Sequence, residues 1–506
     1  MIKQKNAEFC GSIPLNVINQ IQDYGFLLIV HKETLQVLQT SENISNVLAI
    51  PVDTLIESKL TDFLPDDQLS KIREGVAKSF RTKLPMKLTF SVGTKSMDFD
   101  ALIHFESNCL VIEFEKALSR HDDSGFVSRF GEFKFVAAAL SVSASIEDLT
   151  DSVSKEIKKI TTFDKVMVYK FDEEYNGTVV SEEMEEGMES YLGLCFPASD
   201  IPKQARDMYF QTTYRFIPDV NYVPSKLIPV INPMTNSFTD LTSCNIRGVA
   251  GVHLEYLKNM NVQASMSIRI IHENRLWGLI ACHHREPKRI TYETCVLLEI
   301  VSDFISSQLT ILEKDLEHKR MNQLIELSTK ILEQASVLQD DVSALLSNEN
   351  LMKVLNVDGA AIIKDKKLEI IGSAPSQADI RDILRWSQKN KFDKVYSNSN
   401  FPAQYERAKD FKEVCSGIII VPLSVTHDYY LMGFRKEMVQ EIKWGGNPDE
   451  TIHFEQDGKK YHPRHSFQIW KETVNEKSLP FQKVELKAAE NLKQWLMEFI
   501  LNSRSN

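Results

Sequence analysis

One window of this chain gathers a carboxylate, several arginines and several histidines. Asp200 sits in the turn Pro197-Ala198-Ser199-Asp200-Ile201-Pro202. Arg206, Tyr209 and Arg215 follow, then Arg247, His253 and the run Cys282-His283-His284. Guanidinium groups fork onto carboxylates, while histidines and backbone carbonyls meet ring N–H groups and oxygens. Such a set can clamp an anionic, conjugated ligand. Pro202 biases Ile201 toward extended backbone, so Asp200 is expected at a turn and not on a helix. Taken singly, each residue has an ordinary reading. Asp200 reads as an N-cap or Asx turn, each arginine as a surface or ion-pair residue, and Tyr169, Phe196, Tyr209 and Tyr256 as core aromatics. His253 opens a helical run, where a lone histidine is usually structural. His283 and His284 end an apolar strand, and alternation turns only one of them inward. Cys282 finds no second Cys/His group at zinc-type spacing, so no metal is expected. Cys10 lies ahead of the first domain, where an accessible thiol can form a covalent link or stay idle. No G-x-S-x-G, P-loop, H-E-x-x-H or dinucleotide fingerprint occurs, so no catalytic residue is assigned and no enzyme is expected.

The elements that must position these residues follow from length and periodicity. A chain of 506 residues suggests about three domains of roughly 150 residues each. Apolar content of 43% and charged content of 25% are ordinary for a globular chain that buries a core in each domain. A net charge of -11 argues against nucleic acid as partner. The start lacks a signal-peptide core and the apolar runs are too short for a bilayer, so a cytoplasmic protein is expected. Seven cysteines, odd in number and without C-x-x-C spacing, fit reduced thiols.

Strand-like runs at Phe26–Val30, Leu88–Val92, Ala101–Phe105 and Leu110–Phe114 surround a helix at Gln68–Phe80. This predicts an antiparallel sheet with helices on one face. Lys116–Gly131, rich in charge, Ser and Gly, reads as a boundary. A second domain opens with a helix at Ile146–Thr161 and continues with strands at Lys165–Phe171, Thr178–Ser181, Ser265–Ile271 and Leu276–His283. Between them, Pro218–Arg247 reads as a long irregular stretch, and a loop of that length is usually functional. Thr294–Gln334 is helical in pattern. Val301, Ile305, Leu309, Leu312 and Leu316 form an apolar seam that suits a long connecting helix, with two shorter core helices as the other reading. The third domain repeats the α/β flavour, with strands at Gly359–Lys364, Leu368–Ile371 and Gly417–Leu423 and a closing amphipathic helix at Lys483–Leu501.

Taken together these blocks resemble the phytochromes, specifically the bacterial, biliverdin-binding type, and the resemblance covers nearly the whole chain. The blocks run in order: Pro197 to Pro202 with Gln204-Ala205-Arg206; His253-Leu254-Glu255-Tyr256-Leu257-Lys258-Asn259-Met260; Ala264-Ser265-Met266-Ser267; and Leu276-Trp277-Gly278-Leu279-Ile280-Ala281-Cys282-His283-His284. Later come Trp444-Gly445-Gly446, Pro463-Arg464-His465-Ser466-Phe467 and Trp470-Lys471-Glu472, which resemble the family's tongue hairpin.

The resemblance implies an α/β (α+β) architecture of three domains, PAS (1–116), GAF (117–312) and PHY (313–506), with the tongue over about 426–475. It also implies a figure-of-eight knot between the first two, with Pro218–Arg247 as the loop the N-terminal segment threads. It implies a red/far-red photoreceptor whose biliverdin isomerises at C15=C16, with the change passed through the tongue and long helices. The Asp200 carbonyl and His253 would meet the pyrrole N–H groups, with Ile201 beside them, and His283 the D-ring carbonyl. Arg215 and Arg247, helped by Tyr209, would hold one propionate, and Ser265 and Ser267 the other. Tyr169, Phe196, Tyr209 and Tyr256 would pack on the rings. Arg464, with Ser466 and Trp470 on the tongue, would reach back to Asp200. Val252 stands where other phytochromes carry the attachment cysteine, so the resemblance assigns attachment to Cys10. Gly251 replaces the usual Pro two residues before the pocket histidine. Ile18-Asn19 and Gln22-Asp23-Tyr24-Gly25 replace the usual Pro-Gly and Gln-Pro-His-Gly. The family's partners are a second copy of the chain and an output kinase or response regulator; no nucleic acid and no membrane are expected. The chain stops on a helix at Asn506, so kinase activity is not expected of these residues alone. Two other readings stay open: a non-photochemical PAS/GAF sensor of a small ligand, and a dimerising scaffold in which the pocket residues are relics.

Overall fold

The structure, a computed structural model, describes residues 15–78, 83–105, 108–116, 124–337, 349–364, 367–424, 429–448, 452–454 and 461–503. By contacts it divides into two compact units, Met1–Thr310 with Lys443–Trp470, and Ile311–Ile442 with Lys471–Asn506.

The first unit holds two sheets. The N-terminal one runs, strand by strand, Gln20–Ile21, Ser225–Ile228, Val37–Ser41, Gly25–His31, Cys109–Lys116, Lys95–Phe105 and Leu84–Val92. Its register pairs Phe26 with Phe114 and Ala101 with Phe114, so one face collects Phe26, Phe99, Phe114, Leu28 and Ile112 in a core capped by the helix Asp66–Lys78. The opposite face is also buried. Leu27, Ile29 and Val111 pack there against Leu227, Leu241, Cys244 and Ile246. That second cover explains why Gly25–His31 reads as a continuous apolar run rather than an alternating one.

The long stretch Pro218–Arg247 is thus not wholly irregular. Its Ser225–Ile228 is a strand of the N-terminal sheet, paired with Gln20–Ile21 on one side and Val37–Ser41 on the other. Residues Asn16–Gln22 lie between two parts of that stretch. Leu227 N donates to Asn19 O at 3.2 Å, while Gly248 N donates to Gln20 O at 2.7 Å and Gln22 N to Ile246 O at 2.8 Å. The side chain of Gln22, fully buried, donates to the carbonyls of Phe216 and Arg247.

The central sheet is ordered Tyr214–Ile217, Ala264–His272, Arg275–His284, Lys165–Phe171, Gly177–Met184, Cys195–Phe196, Gln440–Gly445 and Ile469–Val474. The helix Ile146–Thr161 is capped by Ser145, whose side chain accepts the Asp148 N–H, and its apolar stripe Leu149, Val153 and Ile157 is buried. Ser124–Ser141 is helical. The expected boundary over Lys116–Gly131 therefore narrows, because Phe126 to Leu140 continue a helical pattern past its Ser and Gly; residues 117–123 lie outside the described ones.

The long helix runs Tyr292–Val337, 46 residues. Leu298, Val301, Ile305 and Leu309 are buried, but Leu316 is 60% exposed, so the expected seam stops short of it. Within this helix lies the one described span long and apolar enough to cross a bilayer. Of the apolar stretch in that span 39% is buried, and Ile300 and Ile311 are 50 and 58% exposed.

In the second unit a five-stranded antiparallel sheet runs Lys367–Gly372, Gly359–Lys364, Tyr429–Arg435, Gly417–Ser424 and Tyr396–Asn398. Tyr429–Arg435 is its middle strand and buried throughout. This strand lies inside the span expected for the tongue, about 426–475, and is held on both sides, whereas Lys443–Trp470 clusters with the first unit. At its end Arg435 is almost wholly buried. It meets Glu485 at 2.8 Å, donates to the carbonyls of Asn356 and Pro480, and stacks 3.7 Å over Phe481. Removing one partner of such a pair leaves the other uncompensated, which costs about 3–5 kcal/mol. Arg435→Met should lower unfolding stability by about that much in denaturant titrations, and Arg435→Met with Glu485→Leu should recover most of it.

Candidate functional site

The candidate residues converge on one end of the central sheet and the segments that cover it. Pro197 holds an extended backbone, Ala198–Asp200 forms one 3-10 turn, and Ile201 has φ -124° and ψ 86°, so Asp200 stands at a turn as expected. Arg206 stabilises that turn from the next helix by donating to Ala198 O at 3.1 Å and Ile201 O at 2.5 Å. Asp200 is nearly closed off from water. Its Oδ2 accepts from Tyr256 Oη at 3.0 Å and from the Arg464 guanidinium. Arg464 in turn donates to Gly445 O at 2.7 Å, and its own carbonyl accepts from Asn259 Nδ2 at 3.1 Å. Burial pulls the Arg464 pKa down to about 10, which leaves it charged at neutral pH. Its Nε finds no partner among the described residues.

Two more guanidiniums lie close by. Arg215 donates to the carbonyls of Asn245, Arg247 and Gly248 at 3.1, 2.6 and 2.8 Å. Arg247 donates through Nη1 to Leu241 O and Thr242 O. Among the described residues neither has a carboxylate within ion-pair distance. Burial lowers both pKa values, and for Arg247 the neighbouring Arg215 helps to bring it to about 9. The Glu113 carboxylate acts on both from beyond ion-pair distance, and an anionic ligand beside these two desolvated cations would stabilise them further. Tyr209, 9% exposed, shares a 2.6 Å hydrogen bond with Ser267, and Ser265 lies cross-strand from His283.

His253 shows what lies between these groups. It sits on the helix Gly251–Asn259, and its side chain is accessible to a water-sized probe. Yet burial, seconded by Arg215, depresses its pKa to about 4. Its ring lies nearly parallel to that of Tyr256, 6.2 Å away. Tyr169, Arg215 and Tyr256 share this character, partly accessible yet desolvated. His283 closes another wall, 8% exposed, with its pKa pushed to about 3 by burial and then by Lys165 and His253. Neither imidazole has a hydrogen-bond partner among the described residues, and both are neutral at physiological pH. Neutral imidazoles, aromatic faces and the guanidiniums of Arg215 and Arg247 grouped in this way suit a flat, conjugated, doubly anionic molecule.

The structure brings together Asp200, Ile201, Tyr209, Arg215, Arg247, His253, Tyr256, Ser265, Ser267, His283, Tyr169, Phe196 and Arg464. Tyr169 packs on Phe171 and Phe196. It does not bring in Ser466 or Trp470. Ser466 is exposed and accepts from Gln468 N, and Trp470 is 37% exposed. Phe467, on the other face of that segment, is the residue that packs, edge-on to Tyr256 at 5.2 Å and 6% exposed. The described donors of Arg215 and Arg247 meet backbone carbonyls. Cys10 lies outside the described residues. Residues missed in the sequence are Lys165, Glu182 and Tyr191, which form a buried cluster beside His283. Alternation along Lys165–Phe171 could have found Lys165, which shares a face with Met167 and Tyr169.

His104, Glu113 and Cys244 offer nitrogen, oxygen and sulfur within 4.8 Å of one another. The His104 Nε2 to Glu113 Oε1 contact of 2.5 Å is a direct hydrogen bond, shorter than two donors sharing a zinc ion can be, and the second Glu113 oxygen accepts from Ile246 N. Glu113, hydrogen-bonded to His104 and to the Ile246 amide, fastens the loop to the N-terminal sheet.

Three family descriptions match this chain: PAS fold over residues 10–117, GAF domain over 145–309 and Phytochrome region over 324–505. Cyanobacterial phytochrome B of Nostoc sp. is 34% identical over 502 residues, covering 98% of this chain and 67% of the relative. A bacteriophytochrome of Pseudomonas aeruginosa is 32% identical, covering 97% and 66%. The chain spans about two thirds of the length of these curated relatives. Among solved structures, a bacteriophytochrome from R. palustris superposes with a TM-score of 0.87 at 26% identity, covering 98% of this chain and 99% of that one. The photosensory core module of a Stigmatella aurantiaca phytochrome gives 0.84 at 30%, covering 97% and 98%.

Two outcomes follow from the geometry. A Cβ at Gly177 would lie 1.7 Å from the Tyr169 ring, so glycine there leaves the ring its place. Gly177→Ala should cost about 1–3 kcal/mol in denaturant unfolding, and less in a Tyr169→Leu background. His253 and His283 fall from an ordinary 6.5 to about 4 and about 3 in the folded chain. Below pH 6.5 the unfolded chain takes up protons that the folded one refuses, so stability is full above that pH and is lost as pH falls toward 4. Unfolding free energy measured against pH should slope less steeply in His253→Gln; an unchanged slope would show that His253 is not held neutral.

Proposed function

This chain belongs to the phytochrome family of red/far-red photoreceptors and carries its PAS–GAF–PHY photosensory module, and from that premise we propose that it holds biliverdin in the cavity around His253. Members of the family bind a linear tetrapyrrole. What supports the reading is the grouping of the neutral imidazoles of His253 and His283 with the desolvated guanidiniums of Arg215 and Arg247, which have no carboxylate within ion-pair distance among the described residues.

Arg215 and Arg247, with Tyr209, would hold one propionate, and Ser265 and Ser267 the other. His253 and the Asp200 carbonyl would meet the pyrrole N–H groups, and His283 the D-ring carbonyl. Ile201, Tyr169, Phe196 and Tyr256 would exclude water from the ring faces. Bound there, biliverdin would supply absorption of red and far-red light and isomerisation at its C15=C16 double bond. Asp200 and Arg464 would then serve as the latch between the cavity and the tongue, because each is costly to leave buried alone.

Cys10 would attach the pigment, and the figure-of-eight knot belongs to the same proposal. Residues Asn16–Gln22 hydrogen-bonded on both sides within the loop that spans Ser225–Gly248 support it. The domain divisions near 116 and 312 are part of the same proposal. The output kinase or response regulator would belong to the remaining third of the relatives' length. A homodimer is supported by Phe130, Phe135 and Ile300, which are 54, 78 and 50% exposed on neighbouring helices. A cytoplasmic location completes the proposal.

Mixing bilin-free protein with biliverdin should give a far-red band that photoconverts reversibly. The pigment should survive denaturation in the wild type and be lost on denaturation in Cys10→Ser. Absence of pigment uptake would discard this reading in favour of a small-ligand sensor.

A further inference from the structure

We propose that Lys165 and Glu182 form a buried positioning pair in the cavity wall: the lysine cation keeps the imidazole of His283 neutral, and the carboxylate pins Tyr191 against the aromatic lining. The functional consequence rests on the tetrapyrrole reading of the cavity; the electrostatic argument stands without it.

Lys165 opens the strand Lys165–Phe171 and lies directly opposite His283 on the adjacent antiparallel strand. Cross-strand partners leave a sheet on the same face, so the ammonium and the imidazole are near neighbours. Lys165 is 2% exposed, and its Nζ lies 3.4 Å from Glu182 Oε1 and 3.9 Å over the ring of Tyr191. It also donates to the carbonyl of Glu189. Glu182 serves three groups at once. Besides Lys165, its Oε1 accepts from Tyr191 N at 3.0 Å and its Oε2 from Ser190 Oγ at 2.6 Å. Backbone bonds from Gly193 N to Val179 O and from Leu194 N to Tyr191 O hold the same loop, in which Leu192 is 57% exposed while Tyr191 is 5% exposed. Tyr191 packs edge-on to Phe196 at 5.9 Å, in one cluster with Met167 and Phe467 and against Tyr169 and Tyr256. One carboxylate thus sets both the lysine and the tyrosine that closes the lining.

A lysine so deeply placed needs a reason, since an apolar side chain of similar length would fill the space without desolvating a charge. The groups around His283 supply one. Lys165 faces it from the strand Lys165–Phe171, His253 from the helix Gly251–Asn259, and Ser265 is its cross-strand neighbour on Ala264–His272; Glu182 on Gly177–Met184 acts through the lysine. Lys165 is therefore the fixed positive charge in that set. Burial lowers its own pKa, and Glu182 opposes the shift. Take the cation away and a buried carboxylate is left where a cation was, and both changes favour the imidazolium form of His283. Take Glu182 away and Lys165 loses the stronger of the two carboxylates that oppose its desolvation, Glu189 being the other, while burial still holds His283 neutral and the Tyr191 loop loses a contact. The two variants part in sign.

The test is a histidine NMR pH titration of the bilin-free full chain. His283 should stay neutral through the mildly acidic range in the wild type. It should gain at least about tenfold in proton affinity in Lys165→Met and return to wild-type behaviour in Lys165→Arg. Glu182→Gln should leave His283 neutral but loosen the Tyr191 ring signals. An unchanged His283 titration in folded Lys165→Met overturns the proposal, as does failure of Lys165→Arg to restore it. Should Lys165→Met not fold, the Nζ shift of Lys165 in the wild type decides: a neutral amine at neutral pH also overturns it. With biliverdin added, the pigment spectrum of Lys165→Met should become pH-dependent where the wild type is not. If no pigment binds, the tetrapyrrole reading fails alone, because the histidine titration does not involve the pigment.

Discussion

A carboxylate closed off from water must be matched by a cation, and much of the first unit is arranged around that demand at Asp200. Its partner, Arg464, lies 264 residues away in sequence. To bring the two together, the segment Lys443–Trp470 leaves the domain that precedes and follows it and clusters with the first unit. Secondary contacts make that placement specific. Trp444 bridges to Cys195 in parallel, His462 meets Glu255 at 3.0 Å, and Asn259 holds the Arg464 carbonyl. Gly446, at φ +97°, allows the close approach of Ser466 O that a Cβ would block at 2.4 Å. The ion pair is stable only in this context, and any event that loosens one of its supports exposes two buried charges at once.

The same economy governs the cavity. Its polar lining is over-supplied with cations and under-supplied with anions. Arg215, Arg247 and Lys165 are all depressed by burial, and the imidazoles are pushed to the neutral form. A grouping of this kind suits a molecule that brings carboxylates and ring N–H donors together. Family membership and cavity electrostatics therefore point the same way from independent starting points.

A third constraint lies in the N-terminal sheet. A strand from the central domain's loop completes it, and residues Asn16–Gln22 are bonded on both edges by that loop. The buried Glu113 reinforces the junction by bridging His104 to the Ile246 amide. The two domains thus share one hydrogen-bonded sheet rather than a wet interface, which makes the cavity's walls stiff on the side of Arg215 and Arg247.

Local periodicity was enough to place most strands and helices, because a strand such as Lys165–Phe171 or a helix such as Ile146–Thr161 is specified by side chains within a few residues of one another. Residue type and the family resemblance were enough to nominate Asp200, His253, His283 and the arginines as candidates. Several things were not legible. Tyr429–Arg435 is a central strand inside the span expected for the tongue, Phe467 rather than Ser466 or Trp470 faces inward, and Lys165, Glu182 and Tyr191 share one buried cluster. Each of these depends on which strand edge or which face a segment meets, and that is decided by partners tens to hundreds of residues away. A sequence determines what each segment can bury; only the assembled tertiary structure decides against what, and therefore which charges end up beside one another with water removed.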